Sequence, residues 1–320
     1  MPPPIALGLV GFGIMGERLL RAALAHAAES VTPVAVFDPS PEAAARLAAI
    51  APGVRALGSA EAVIGACDCL YVATPPGLHI PLAQAALAAG RAVFLEKPLA
   101  TDLAEARGFV AAAEASGARA AVNFPMASSP SVALLAAWQK ALVPEALEIE
   151  VAFATWPRGW QQGAAGWLAR RAEGGFTREV VSHFLFLTRR RLGTLALQEA
   201  QVTYPAGDGA ETALRARLRA GGVPVTLTGG VGTTTKDDHN SWTLNGAIRL
   251  RDWSFAERLG ADGAWAAPPD AMPNEKMRPL VLQQQLAGVA AMTRGEAHHL
   301  ATLREALEVQ EIVEAMLATA

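Results

Sequence analysis

The sequence predicts an α/β protein of two domains: a doubly wound parallel sheet, followed by an α+β domain with a large, open and mostly antiparallel sheet. Short apolar runs alternate with alanine-rich helical segments up to about residue 123, which is typical of a parallel sheet with helices on both faces. Beyond that point Pro, Ser and Trp enter, and successive strand-like runs replace the alternation. The 320 residues also exceed the usual size of one hydrophobic core. We therefore expect domains at 1–123 and 124–320.

The first domain is expected to contain six strands with five helices between them. Its apolar runs are of the kind found in parallel strands that are buried on both faces. We expect strands at 5–10, 33–37, 54–56, 69–73, 92–95 and 120–122. We expect helices at 14–28, 41–51, 59–64, 78–89 and 103–115. Ser40 before Pro41, and Asp102 before Leu103, are N-cap signals for two of these helices.

The second domain is expected to combine helices with antiparallel strands. Its strands are expected at 147–155, 195–204, 211–219, 223–231, 241–244 and 247–251, and its helices at 130–142, 177–190, 279–294 and 303–317. The last helix, about 303–318, is expected to pack back on the first domain. Val223, Val225 and Leu227 alternate as on an exposed apolar face, so we expect a homodimer or homotetramer.

Composition excludes several classes of protein. The net charge of −3 comes without a basic stripe, so neither nucleic acid nor a membrane is expected as a partner. Apolar runs are interrupted before the roughly 18 residues that a membrane span requires. Met-Pro-Pro-Pro leads directly into the first strand, so we expect no secretory leader and a cytoplasmic location. The two cysteines and scattered histidines lack ligand spacing, and no metal site is expected.

The stretch 5–16 contains the glycine spacing of a dinucleotide-binding turn. Its three glycines stand where such a turn needs a tight bend, close approach of the backbone to a pyrophosphate, and close packing of helix on strand. The helix that follows would present its N–H groups and positive dipole end to the phosphates. We therefore expect a Rossmann domain that binds the cofactor through Gly11, Phe12, Gly13, Ile14, Met15 and Gly16.

Asp38 ends the second strand, 22 residues after Gly16. An acidic residue about 20 residues after the glycines bonds the adenine-side ribose hydroxyls in dinucleotide-binding domains. A carboxylate at that place would repel a 2′-phosphate, and the next residues, Pro39 and Ser40, include no arginine to bind one, so NAD is favoured over NADP. The alternative is that Asp38 only opens a turn before Pro39.

Two polar segments follow strands four and five, at the sheet edge where open α/β sheets place their ligands. They read Thr74-Pro75-Pro76-Gly77-Leu78-His79 and Glu96-Lys97-Pro98. Together with the glycine turn and a later Gly-Gly before a Glu-x-x-x-His helix, they resemble the glucose–fructose oxidoreductase, inositol dehydrogenase and rhizopine-catabolism family (Gfo/Idh/MocA). We expect the cofactor to contact Thr74, Pro75, Pro76, His79, Glu96 and Lys97.

The resemblance implies roles for residues of both domains. The lysine of the family's Glu-Lys-Pro motif lies beside the nicotinamide and the reacting group of the substrate, which implies that role for Lys97, with Glu96 on the nicotinamide ribose. The segment from Gly174 to His183 resembles the family's second signature, which makes Glu179 and His183 candidate catalytic residues. Four residues apart, these two side chains share one helix face. The imidazole of His183 would act as general acid/base.

The chain also departs from the family pattern. The acid of the second signature is usually aspartate, but here it is Glu179. The arginines expected after the sixth strand are missing from the segment at 124–130, where Met126 and Ala127 stand.

Tryptophan faces can stack on sugar rings and arginine can bind carboxylates. The candidate substrate residues are therefore Asn123, Trp156, Arg158 and Trp167.

These observations predict an NAD-dependent dehydrogenase or reductase. It would transfer a hydride between nicotinamide and a secondary alcohol or ketone of a sugar, polyol or cyclic hydroxy compound. Two alternatives stay open: a cofactor-binding regulator without turnover, suggested by the departures above, and an NADPH-dependent reductase of the same fold. The presence of both Lys97 and His183 favours the enzyme.

Overall fold

The computed structural model describes residues 2–319, which divide into two compact units. The first unit comprises the chain up to Ser128 together with Pro279–Leu307. The second comprises Ser129–Arg278 and the chain from Glu308 onward. The segment 279–307 lies in the first unit and not in the expected second domain, 124–320.

The first unit contains a six-stranded parallel sheet with strand order β3-β2-β1-β4-β5-β6. Its strands are β1 Ile5–Val10, β2 Val31–Phe37, β3 Arg55–Ala56, β4 Cys69–Val72, β5 Ala92–Leu95 and β6 Ala120–Val122. The helices between them are α1 Ile14–His26, α2 Pro41–Ile50, α3 Ala60–Ala66, α4 His79–Ala88 and α5 Leu103–Ala115. All six strands expected in this domain are present. The strand order reverses between β1 and β4, which is where such sheets bind ligands.

The segment 279–307 belongs to the first unit because its apolar side chains complete that core. Leu282, Leu286, Val289 and Met292 are buried with Leu7, Leu9, Tyr71 and Phe94 of the parallel strands in one cluster. They lie on helix α9, Asn274–Arg294, which begins five residues before the expected start and continues through Pro279. The last helix, α10 Leu303–Leu317, begins in the first unit and ends in the second. Its packing on the first domain stays a prediction.

The second unit contains an eight-stranded, mostly antiparallel sheet with strand order β14-β13-β12-β11-β7-β10-β9-β8. Its strands are β7 Leu147–Phe153, β8 Leu195–Thr203, β9 Ala213–Ala220, β10 Val223–Val231, β11 Asp238–Leu244, β12 Ile248–Arg251, β13 Phe255–Leu259 and β14 Trp265–Ala266. Among the described strands of this sheet, β7 and β10 are the one pair that runs parallel. The predicted fold class is therefore confirmed. Strands β13 and β14 were not expected, because both are short.

The helices of the second unit differ from expectation at the start of the helix expected at 177–190. Helix α6, Pro130–Gln139, and the short α7, Ala165–Leu168, precede the helix expected at 177–190. That helix starts with a π-helical turn, Thr177–Val181, and continues as α8, Ser182–Leu192. A π turn contains an extra residue, and such turns occur frequently at functional sites.

The alternating apolar residues of β10 do not form an exposed face. Val225 and Leu227 are buried within the second unit, and only Val223 is half-buried. Helix α8 lies against the sheet, because Trp242 of β11 donates its indole N–H to Thr188 of α8 at 2.9 Å. The expectation that these residues line an oligomer interface is therefore wrong, because the face they mark is the inner face of the sheet.

Two further observations concern residues 2–319. No helix in this range is both long and apolar enough to cross a membrane. The same residues contain no group of three or more His, Cys, Asp or Glu side chains placed to hold a metal ion. Cys67 and Cys69 are free and buried, and burial raises the pKa of their thiols to about 11 and about 12.

Candidate functional site

The glycine turn between β1 and α1 is closely packed at two of its three glycines. Gly11 has φ +93°, and a Cβ at this residue would collide with the backbone of Ala73 and Thr74 at the end of β4. A Cβ at Gly16 would collide with the carbonyl oxygen of Gly11. A Cβ at Gly13 would meet nothing within 4 Å. Gly13, the N-cap of α1, thus leaves open the space where a pyrophosphate approaches the backbone.

Asp38 links the glycine turn to the end of β2. One carboxylate oxygen accepts the N–H of Phe12 at 2.6 Å, and the other accepts the N–H of Ser40 at 2.9 Å. The second contact is the turn-opening bond of the alternative interpretation, so Asp38 opens a turn and also holds the glycine turn. Arg46 of α2 donates to the carbonyl oxygen of Phe12 at 2.8 Å and pairs with Glu17 at 3.5 Å.

The segment after β4 begins at Thr74 and ends at His79. Thr74 Oγ1 is buried and has no hydrogen-bond partner among the described residues, which fits a group that bonds a cofactor. The ring of His79 is 1% exposed, and its two nitrogens lie 2.8 Å from the carbonyl oxygen of Thr74 and 2.7 Å from that of Pro98. His79 therefore ties the Thr74 segment to the Glu96-Lys97-Pro98 segment, whose Lys97–Pro98 peptide is cis.

Glu96 belongs to a buried polar network at the end of β5. Its Oε1 accepts a hydrogen bond from the hydroxyl of Tyr71, in β4, and another at 2.5 Å from the amide of Asn123. The Asn123 oxygen in turn accepts from Gln285 of α9 at 2.7 Å. Burial, followed by the nearby Glu96 carboxylate, raises the pKa of the Tyr71 hydroxyl well above its usual value. This network holds Glu96 beside the half-buried Lys97.

The second candidate group lies on the helix of the second unit that begins with the π turn. Gly175 before it has φ +98°, and any side chain there would meet the carboxylate of Glu211. Glu211 Oε1 accepts the N–H of Thr177 at 2.7 Å, and burial raises the pKa of this carboxyl. Glu179 is half-buried and His183 is 9% exposed. The His183 ring meets the ring of Trp253 with centroids 5.5 Å apart.

The four candidate substrate residues are placed differently from one another. Arg158 is buried, donates to Asp238 at 2.6 Å and to Gln161 at 3.0 Å, and lies over the rings of Trp156 and Trp160. Trp156 donates to the Leu168 carbonyl at 3.0 Å and packs on Phe153 and Phe176. Asn123 is engaged in the Glu96 network, and Trp167 is half-buried. Their contact with a substrate stays a prediction.

Sequence reasoning missed four residues that the structure brings into these groups: Tyr71, Gln285, Arg46 and Trp253. A hydroxyl within the buried run Cys-Leu-Tyr-Val indicates that Tyr71 needs a polar partner, so this residue could have been found. The glutamine run 283–285 interrupts an apolar pattern in the same way. Trp253 carries no comparable signal, because its place depends on the geometry of a turn.

Replacing Gly13 by alanine should separate folding from cofactor binding. Because the added Cβ has free space in the protein, the Gly13→Ala variant should keep the wild-type unfolding midpoint. Where a pyrophosphate approaches the backbone the methyl group should collide with it, and the Kd for NAD should rise about tenfold or more. Gly108→Ala, on α5 and equally unobstructed, is the control in calorimetry. Wild-type NAD affinity in Gly13→Ala would refute this assignment.

His79 should make stability depend on pH in a known direction. Burial lowers its pKa, an effect that outweighs the two carbonyl oxygens, which favour the protonated ring. The native chain therefore binds fewer protons here than the unfolded chain, and its free energy of unfolding should fall as pH drops through about 6.5. His79→Gln should cost about 1–3 kcal/mol at pH 7.5.

The difference in free energy of unfolding between wild type and His79→Gln should be smaller at pH 5.5 than at pH 7.5. Wild type loses stability there as the pH falls, whereas glutamine does not titrate. Urea unfolding at both pH values measures it, with the exposed His26→Gln as the control. A gap that widens at pH 5.5 would show instead that a protonated ring donates to both carbonyl oxygens.

Comparison with curated proteins finds relatives of the first unit. Inositol 2-dehydrogenase of Cereibacter sphaeroides is 39% identical over 116 residues, which are 36% of this chain and 34% of that protein. A dTDP-3,4-didehydro-2,6-dideoxy-alpha-D-glucose 3-reductase of Streptomyces antibioticus is 37% identical over 124 residues, 35% of this chain and 36% of that protein. The matched region thus spans about a third of these relatives' length.

Comparison with solved structures extends over the whole chain. The WlbA dehydrogenase from Bordetella pertussis, solved in complex with NADH and UDP-GlcNAcA, superposes with a TM-score of 0.76 over 99% of this chain and 96% of that one. Its sequence identity is 23%. At this level the likeness shows that both units share the fold of that dehydrogenase.

A family model matches residues 5–124 and describes an oxidoreductase family with an NAD-binding Rossmann fold. These residues include all six parallel strands, the glycine turn, Asp38 and both polar segments at the sheet edge. The resemblance predicted from those motifs is confirmed. Residues 5–124 are therefore similar to the NAD-binding Rossmann domain of the Gfo/Idh/MocA oxidoreductase family.

Proposed function

We propose that the protein is an NAD-dependent dehydrogenase that acts on the CH–OH group of a sugar, polyol or cyclic hydroxy compound. The observation that carries the proposal is Lys97, which follows β5 at the carboxyl edge of the parallel sheet and is next in sequence to Glu96, held by the buried polar network. An inositol dehydrogenase and a deoxysugar reductase among the relatives of the first unit support this substrate class.

The residues of the first unit would bind NAD in a defined order along the sheet edge. The N–H groups around Gly13 would hold the pyrophosphate, Asp38 the adenine-side ribose, and Thr74 with Glu96 the nicotinamide half. NAD bound there would supply the hydride acceptor for the carbon that carries the substrate hydroxyl. The Lys97 ammonium would stabilise the negative charge that develops on that oxygen, or relay its proton.

His183 of the second unit is the proposed general base in the oxidative direction. A neutral imidazole can take the hydroxyl proton at one ring nitrogen and return it in the reductive direction. Glu179, on the same helix, would orient the substrate or the imidazole. Gly174, Gly175 and Glu211 would set where this helix begins, because no side chain fits at Gly175 against the Glu211 carboxylate.

Selectivity for NAD over NADP rests on Asp38 and its neighbours. The carboxylate lies at the end of β2, held by two backbone N–H groups. A 2′-phosphate at this place would meet like charge. Arg46, on the next helix, is already bonded to the Phe12 carbonyl and to Glu17.

The cytoplasmic location expected from the sequence stays a prediction.

The proposal predicts turnover that depends on Lys97 and His183. Purified protein should reduce NAD with at least one member of a panel of sugars, inositols and other cyclic polyols, followed by absorbance of the reduced cofactor. Lys97→Ala and His183→Ala should each lower kcat by about 100-fold or more, the usual range for a lost acid/base group. Lys140→Ala and His26→Ala, both exposed, should leave kcat unchanged.

The same panel separates the alternatives. Oxidation of a panel compound with NADP but not with NAD would favour the NADPH-dependent reductase. Tight NAD binding without turnover of any compound, together with a reproducible protein partner, would favour the regulator. Unchanged turnover in both Lys97→Ala and His183→Ala would refute the assigned roles.

We also propose a homodimer or homotetramer built on the outer face of the eight-stranded sheet. Arg215, Arg217, Thr226, Glu148 and Glu150 are exposed there on neighbouring strands. Such a polar sheet face can pair with its own copy through complementary charges. Light scattering should give a mass of two or four chains, and Arg217→Glu should lower it, whereas Arg107→Glu, on α5 of the first unit, should not. A monomer at micromolar concentration would contradict the proposal.

A further inference from the structure

The hairpin turn between β12 and β13 contains an unusual residue for its geometry. Ser254 N–H donates to the carbonyl of Arg251 at 3.2 Å, and both central residues have positive φ, 47° for Asp252 and 70° for Trp253. Positive φ at both centres is the mark of a type I′ turn, which favours Asn-Gly or Asp-Gly. Tryptophan at such a position is a genuine conformational outlier.

The same sheet supplies the ordinary version of this turn one hairpin earlier. Between β11 and β12 the central residues are Asn245, with φ 55°, and Gly246, with φ 60°. The N–H of Ala247 closes that turn on the carbonyl of Leu244 at 2.9 Å. The sheet therefore contains two similar turns. One has the preferred residues at its centre, and the other has a tryptophan at the position where glycine is preferred.

Neighbouring polar groups hold the strained turn in place. Asn240, buried in β11, accepts the Trp253 N–H at its side-chain oxygen at 3.2 Å, and its backbone carbonyl accepts the Asp252 N–H at 2.9 Å. Asp252 in turn accepts from His239 at 2.7 Å and from Arg251 at 2.8 Å. A turn secured on both of its central residues fixes the direction in which the Trp253 side chain leaves the backbone.

The Trp253 ring points at the candidate catalytic helix. Its centroid lies 5.5 Å from that of the His183 imidazole, with the planes at 78°, and 5.2 Å from the ring of Phe184. Strained residues persist where the surroundings over-determine them, and they cluster at functional sites. A general base must be held close to its productive orientation to act efficiently.

We propose that Trp253 is a positioning residue for His183, held in the left-handed conformation so that its ring fixes the orientation of the imidazole. This inference rests on the proposed role of His183 as general base. It goes beyond that role because it assigns a purpose to a turn in the sheet that the sequence motifs do not include.

Trp253→Gly tests the proposal, because glycine suits the backbone and removes only the ring. The variant should lose about tenfold or more in kcat. Its KM for NAD should stay within about two-fold of wild type, since NAD binding belongs to the first unit. Trp253→Phe, which keeps an aromatic ring, should recover part of the loss. Trp265→Gly, in β14 of the same sheet, is the matched control and should keep wild-type kcat.

A double-mutant cycle distinguishes positioning from an independent effect. If Trp253 acts through His183, Trp253→Gly should change kcat less than about two-fold in the His183→Gln background. The proposal would be overturned if Trp253→Gly lowered kcat by the same factor in the wild-type and His183→Gln backgrounds. It would also be overturned if Trp253→Gly alone kept wild-type kcat. Turnover by His183→Gln equal to wild type would instead refute the proposed role of His183.

A spectroscopic measurement tests the contact without activity. The ring-proton resonance of His183 in the NMR spectrum is identified by its loss in His183→Gln. This resonance should move in Trp253→Gly and not in Trp265→Gly. An unmoved resonance would overturn the inference even in a variant with reduced turnover.

Discussion

The glycine turn of the first unit leaves no room for a side chain at two of its glycines, because backbone lies against backbone there. Gly11 lies against the end of β4, Gly16 lies against the carbonyl of Gly11, and Asp38 at the end of β2 holds Phe12. One turn thereby sets the relative positions of three strand ends at the point where the strand order reverses. The edge at which these strands end is where open α/β sheets bind their ligands.

Polar contacts continue the arrangement across the sheet edge. His79 ties the Thr74 and Pro98 segments together, and Tyr71, Asn123 and Gln285 hold Glu96 through a chain of buried hydrogen bonds. Buried polar groups lower stability unless they are paired, so such a network specifies one arrangement of the segments that carry Glu96 and Lys97. The order around Lys97 is thus a product of hydrogen bonds among several neighbouring buried residues.

Sequence patterns predicted the parallel sheet well because buried parallel strands are continuous apolar runs. The turn glycines and Asp38 could be predicted because their spacing along the chain follows a local rule. The π turn before His183 could not be predicted, because it depends on which carbonyl accepts each N–H. The inner face of β10 was mistaken for an outer one, since alternation alone does not say which face is covered. Trp253 was missed because the Asp-Trp pair carries no turn signal.

The first unit is discontinuous in sequence, and this affects how the chain is made. A nascent chain that ends at Ser128 has all six parallel strands but lacks Leu286, Val289 and Gln285, which complete its core and its polar network. Domains generally fold during synthesis from the N-terminus onward. The first unit can therefore complete its core only after about 180 further residues, including the eight-stranded sheet, have left the ribosome.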